Sequence, residues 1–213
     1  MVADITRRST FARRRSLAAV LLLCAGLLVR PEAVLADRLT DQTEVEAAYL
    51  VNFLRYTQWP ERSFDSSTSP LVISVVGPSE VADRVRAVAA AAGKVRGRPI
   101  EVRSIPFQRG SLDSPLRSER DQASLAQIRT SHLVFFHGEG KALHPQALSD
   151  LWGHAVLTVS NSPGFTAAGG MLGLFRSSGH VVFEANPSAI RNSGLMVSAK
   201  VLKLARVASR VNP

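Results

Sequence analysis

The chain has 213 residues, 46% of them hydrophobic and 20% charged, with a formal net charge of +9. That is enough chain to bury a core unaided, and too few charges for a disordered polyelectrolyte. One cysteine in the whole chain excludes an internal disulfide framework.

The first stretch reads as an export signal over residues 1–36. Arg7, Arg8, Arg13, Arg14 and Arg15 precede an apolar run from Leu17 to Val29, and Val34-Leu35-Ala36 closes it as a cleavage-type triplet. The run falls short of the roughly 20 apolar residues of a membrane span. Neither arginine pair has the full twin-arginine context, so ordinary secretion is the expected route. The leader holds six arginines and two acids, so its removal takes 26 cations and 17 anions to 20 and 15, and the net charge from +9 to +5. The remaining excess is modest and spread along the chain, and an exported chain has no nucleic acid to meet. Cys24 also lies in the leader, so residues 37–213 carry no thiol. They form one domain, expected outside the cytoplasm and, in a cell with an outer membrane, in the periplasm.

A helix follows from Thr40 or Thr43 to about Trp59, apolar around much of its circumference and stopped by Pro60. Leu71–Val76 reads as a buried strand, and Ser79 as the cap of an alanine-rich helix that Gly93 ends near Ala92. Ile100–Ile105 alternates as a strand, Pro106–Arg117 is irregular, and Ser118–Gln127 is a short helix. His132–Phe136 and Ala155–Ser160 are strands around a helix at Ala142–Trp152. Two alternating segments then close over a Ser177-Ser178-Gly179 turn, a three-residue loop with glycine last. Met171, Gly173 and Phe175 share one face, Leu172 and Leu174 the other; Val181, Phe183 and Ala185 oppose Val182 and Glu184. Such a hairpin packs on one side and presents an adhesive patch on the other. Asn186 caps a helix opened by Pro187. Ser198 caps a last helix with an apolar stripe (Val201, Leu202, Ala205, Ala208) and a basic one (Lys200, Lys203, and Arg206 or Arg210). The basic stripe is a solvated face or a contact for acidic lipid headgroups or an acidic partner. The fold class expected is α/β: a single domain whose mostly parallel central sheet is flanked by helices, with a C-terminal β-hairpin and two helices.

Catalytic motifs fail on inspection. Around Gly138-Glu139-Gly140-Lys141 a phosphate loop would need glycine at Phe135 and a hydroxyl at Ala142. The five histidines lack ligand spacing, and His132 and His137 fall on opposite faces of a strand. There is no Gly-x-Ser-x-Gly elbow and, past the leader, no cysteine nucleophile. Glu184 is a lone acid among apolar residues, either a paired structural charge or a contact residue. Asn52, on a helix read as buried, is expected to tie that helix to a neighbouring loop. No metal and no cofactor is indicated, and nothing argues for an enzyme.

Several pieces together carry a likeness. They are Glu46-Ala-Ala-Tyr-Leu-Val-Asn-Phe through Trp59-Pro60, Gly97-Arg-Pro-Ile100, Leu157-Thr-Val-Ser160, Gly169-Gly-Met171, Phe183-Glu-Ala-Asn186 with Ile190, Ser193-Gly-Leu195, and Leu202-Lys-Leu-Ala205. Over residues 44–208 the chain resembles the YfiR family of exported regulators. The resemblance implies a periplasmic repressor that binds the periplasmic domain of an inner-membrane diguanylate cyclase and holds back cyclic di-GMP synthesis. It further implies an outer-membrane lipoprotein that draws the repressor away, and a homodimer. The family's contact face maps onto Leu172, Glu184 and Ile190, with Leu172 where relatives often carry an aromatic residue. The plain alternative is that Leu172 and Ile190 pack under the domain. Relatives' disulfides have no counterpart here. A second functional class is a periplasmic small-molecule sensor, with the Gly77-Pro78-Ser79 turn at the strand end where open sheets bind ligands; a divergent enzyme ranks last.

Overall fold

The computed structural model describes residues 31–105, 119–138 and 148–207. The chain divides into two units, Met1–Asp41 and Gln42–Pro213. Most of the expected export signal, residues 1–30, lies outside the described residues, as do the irregular segment expected at 106–117 and the first part of the helix expected at 142–152.

Helix α1 (Pro31–Tyr56) leads into a two-residue strand β1 (Thr57–Gln58) and a single 3-10 turn (Glu61–Ser63). Then come β2 (Leu71–Val76), α2 (Ser79–Ala92), β3 (Ile100–Ile105), α3 (Glu119–Arg129), β4 (Leu133–Phe136) and β5 (Leu157–Ser160). The hairpin is β6 (Leu172–Ser177) and β7 (His180–Ala185). It is followed by α4 (Pro187–Asn192), β8 (Met196–Val197), α5 (Ala199–Leu204) and β9 (Arg206–Val207). The main sheet runs β3-β2-β4-β5-β6-β7-β9, parallel from β3 through β6, antiparallel at β6–β7 and parallel again at β7–β9. The α/β class, the mostly parallel sheet and the C-terminal hairpin are as the alternation of elements implied.

Strands β2, β4 and β5 are buried along their full length, as expected of central parallel strands covered on both faces. Their alternation splits the core in two. Leu133 and Phe135 join Ile73, Val75 and Val159 on the face covered by α1 and α2, through Leu50, Phe53, Leu54, Val81 and Val85. Val134 and Phe136 join Val76 on the other face with Leu125 and Ile128 of α3, Leu148, Leu151 and Phe165.

Several local expectations are corrected. Helix α1 stops at Tyr56, because Thr57 and Gln58 pair antiparallel with Val197 and Met196. Asn52 is exposed and accepts from Arg55 Nη1 within its own helix (3.2 Å), so it ties the helix to no loop. Pro78, not Ser79, stands at the N-cap of α2, without a side-chain bond. The hairpin loop has two residues, since Ser177 pairs with His180. Ser178 (φ 51°) and Gly179 (φ 83°) are both left-handed, the requirement of the turn whose twist matches the strands. The last helix ends at Leu204, and Arg206 enters the sheet beyond the hairpin, so β9 and not β7 is the edge.

A buried histidine ties the start of the domain to the sheet. His132 Nδ1 accepts from the Val72 N–H (3.0 Å), and the His132 carbonyl accepts from Trp59 Nε1 (3.0 Å). The ring stacks on Phe64 at 4.6 Å and meets Trp59 edge-on at 5.6 Å. Burial pushes its pKa down from 6.5 to about 4, against a smaller upward pull from the Ser63 backbone and with small downward contributions from Arg98 and Arg103. The neutral ring therefore carries its proton on Nε2, which is sealed from solvent without a well-formed hydrogen bond.

Candidate functional site

The hairpin presents two unlike faces. Leu172, Leu174, Phe183 and Ala185 point into the core under α1, where Phe183 meets Phe53 and Tyr49 at ring distances of 5.2 and 5.7 Å. Tyr49 Oη donates to the Val181 carbonyl (3.0 Å), which seals that side. The opposite face is made of the cross-strand pairs Gly173–Glu184 and Phe175–Val182. Phe175, Val182 and Glu184 are each partly exposed there. Strand β9 places Arg206 beside Glu184 in register. The Arg206 guanidinium lies 5.6 Å from the Phe175 ring centroid and donates to Ser177 Oγ (3.1 Å).

Glu184 is held, not loose. Thr166 Oγ1 donates to its Oε1, and a Cβ at Gly173 would come within 3.0 Å of that same oxygen, so glycine leaves the carboxylate its place. Asn186 secures the arrangement from behind. Its Oδ1 accepts from the Ser188 and Ala189 N–H groups (3.1 and 3.0 Å), capping α4. Its Nδ2 donates to the Thr166 carbonyl (3.0 Å), fixing the loop that carries the Thr166 hydroxyl. The outcome is a small mixed surface, with an aromatic ring and a valine between one fixed anion and one cation. Such a surface suits protein docking, where apolar area supplies affinity and charge supplies orientation.

The structure does not bring the three sequence-derived contact residues together. Leu172 is 0% exposed and Ile190 is 4% exposed, both within the core cluster on the side away from Glu184. They offer no area to a partner in this fold, and the face beside Glu184 is supplied by Phe175, Val182 and Arg206. Phe175 and Val182 were available from strand alternation once a two-residue turn fixed the register. Arg206 was hidden because it was read as helical.

Two other features stand on the same unit. Beyond the ends of β4 and β5, the buried Glu46 of α1 accepts from Gln42 Nε2 (2.8 Å) and Asn161 Nδ2 (3.0 Å). Asn161 Oδ1 accepts from the Gly138 N–H (2.8 Å), and its Nδ2 lies 3.1 Å from His137 Nδ1. This cluster pins α1 to two strand ends, and Gly77 is part of it: a Cβ there would meet His137 Cβ at 2.9 Å. A cleft of about 400 Å³ lies elsewhere, lined by Leu151, Trp152, Thr158, Met171, Asn186 and Ser193 among others. Among the described residues no group of three His, Cys, Asp or Glu could hold a metal.

A model of the YfiR/HmsC-like family matches residues 43–206, well over half of the chain. The chain belongs to that family. YfiR/HmsC-like proteins are regulators in cyclic di-GMP signalling that act through protein partners and are in general periplasmic. The match ends at Arg206 and so takes in the complete hairpin face. No helix among the described residues is long and apolar enough to cross a membrane.

Proposed function

We propose that this YfiR/HmsC-like protein is exported through its 1–36 leader and represses an inner-membrane diguanylate cyclase by docking on the cyclase's periplasmic domain. The observation that carries the reading is the hairpin face: Phe175 and Val182, partly exposed, beside a fixed Glu184 and Arg206. Leu172 and Ile190 belong to the site as its support, setting the hairpin and α4 from the core side. Repression needs no chemistry. The protein must bind the inactive cyclase conformation more tightly than the active one, and the difference sets how far the equilibrium moves. An outer-membrane lipoprotein competing for the protein lifts repression. A homodimer is the working assembly, which sedimentation of the purified protein checks.

Charge reversal at Glu184 is the direct test. Glu184→Lys is expected to raise cellular cyclic di-GMP while the protein stays folded and at its normal abundance. Unchanged cyclic di-GMP with normal abundance removes Glu184 and its face from the contact.

A second reading, a periplasmic small-molecule sensor, is favoured by the cleft beside Met171 and Asn186, because Asn186 also fixes the loop whose Thr166 holds Glu184. A melting temperature that rises with a metabolite fraction, and falls back on Met171→Trp, supports it.

A further inference from the structure

The positive excess of residues 37–213, expected above to be spread along the chain, is instead concentrated at its end. Residues 37–184 carry fifteen Lys and Arg against fifteen Asp and Glu, whereas residues 185–213 carry five cations (Arg191, Lys200, Lys203, Arg206, Arg210) and no carboxylate. The net excess therefore lies wholly after Glu184, and Arg210 alone of the five falls outside the described residues.

Within that segment the cations sit among exposed apolar side chains. Lys200, Lys203 and Leu204 share one face of α5 by their three- and four-residue spacing, and Leu204 is 78% exposed. Met196, 65% exposed, lies on the outer side of β8, whose other residue, Val197, packs against the core. Tyr56 adjoins them, its carbonyl accepting from the Ser198 N–H (2.8 Å), and it too is exposed. Arg96 reaches the same small sheet by donating to the Thr57 carbonyl (3.3 Å). Among the described residues neither Lys200 nor Lys203 pairs with a carboxylate. Three exposed apolar groups (Leu204, Met196 and Tyr56) and three cations (Lys200, Lys203 and Arg96), four of the six from a stretch with no Asp or Glu, match the make-up of an interfacial lipid-binding surface. A protein-docking face would ordinarily mix both signs, as the hairpin does.

From this charge complementarity we infer that the β1–β8–α5 surface rests on an anionic phospholipid membrane, with Leu204, Met196 and Tyr56 at the headgroup level and Lys200, Lys203 and Arg96 on the lipid phosphates. This surface is separate from the hairpin face, and it goes beyond the proposed regulation of a cyclase. Holding the protein at the bilayer would raise its local concentration for any membrane-embedded partner.

The test is sedimentation of the purified protein, as the cell processes it, with phosphatidylcholine vesicles made with and without phosphatidylglycerol. Binding is expected only with phosphatidylglycerol and is expected to weaken as salt rises. Lys200→Gln with Lys203→Gln is expected to weaken it by about 25-fold, each lysine near a charged surface accounting for about fivefold. Leu204→Ser is expected to weaken it even at low salt. Gln122→Glu with Gln127→Glu makes the same change in net charge on exposed positions of α3, across the sheet, and is expected to leave binding within about twofold because distant charges are screened. Equal binding to both vesicles, or equal loss in the α3 and α5 variants, overturns the inference. So does binding to poly-glutamate without binding to vesicles, which would assign the surface to an acidic protein. Because the vesicles contain no cyclase, these outcomes leave the repressor reading to its own test.

Discussion

Replacing His132 by Asn separates a proton-linked contribution to stability from a packing one. The Asn Oδ1 can take the place of Nδ1 as acceptor for the Val72 N–H, so the strand keeps its bond. What is lost is the ring between Phe64 and Trp59, together with its titration. In the folded protein His132 releases its proton at about pH 4, whereas an unfolded histidine does so at about 6.5. Between those values the unfolded chain binds more protons, so stability rises with pH across the window. The contribution is fully present above pH 6.5, falls as the pH drops toward 4 and is flat below that. Its full size is about 3 kcal/mol, at about 1.4 kcal/mol for each pH unit between the two pKa values. Urea unfolding of wild type and His132→Asn at pH 7, 5.5 and 4.5 reads it. The variant is expected to be less stable at pH 7 and to converge on wild type by pH 4.5, since carboxylates titrate alike in both. Parallel stability curves through the whole window would refute the reasoning.

Other substitutions distinguish support from contact. Leu172→Ala is expected to cost about 3 kcal/mol in urea unfolding, the range for emptying a fully buried leucine site, while Phe175→Ser on the opposite face costs much less. Gly170→Ala would drive a methyl into the Phe165 ring and is expected to cost about 1–3 kcal/mol by thermal melting, with Phe165→Leu recovering part of it. Asn186→Ala removes the α4 cap and the bond to the Thr166 carbonyl together, an expected loss of about 2 kcal/mol, with Asn186→Asp restoring only the cap.

What the sequence could reveal follows the physics of each feature. Short, almost wholly apolar runs at Leu71–Val76 and Leu133–Phe136 read as buried strands, and Asn186-Pro187 announces its helix locally. The faces of the hairpin were also legible, because strand alternation is a local rule. Which of Leu172, Glu184 and Ile190 reach the surface is decided by tertiary structure. Both sides of the hairpin are apolar, so alternation alone could not say which side α1 covers; Tyr49, Phe53 and Phe183 settle that through a contact more than a hundred residues long in sequence. Arg206 follows an amphipathic run that continues in helical period, yet it pairs with β7. Helix α1 stops short of Pro60 because β8, from the far end of the domain, claims Thr57 and Gln58. The burial of Glu46 is likewise set by distant groups, since Asn161 and Gln42 enclose it.

Calorimetric titration of the purified protein against the isolated periplasmic domains of the inner-membrane diguanylate cyclases of its own cell tests the docking account most directly. Saturable binding is expected for wild type, weakened at least about tenfold by Phe175→Ser and by Glu184→Lys, as for residues at the centre of an interface. Binding that both variants retain at wild-type strength would contradict the account, as would no binding by a folded wild-type protein.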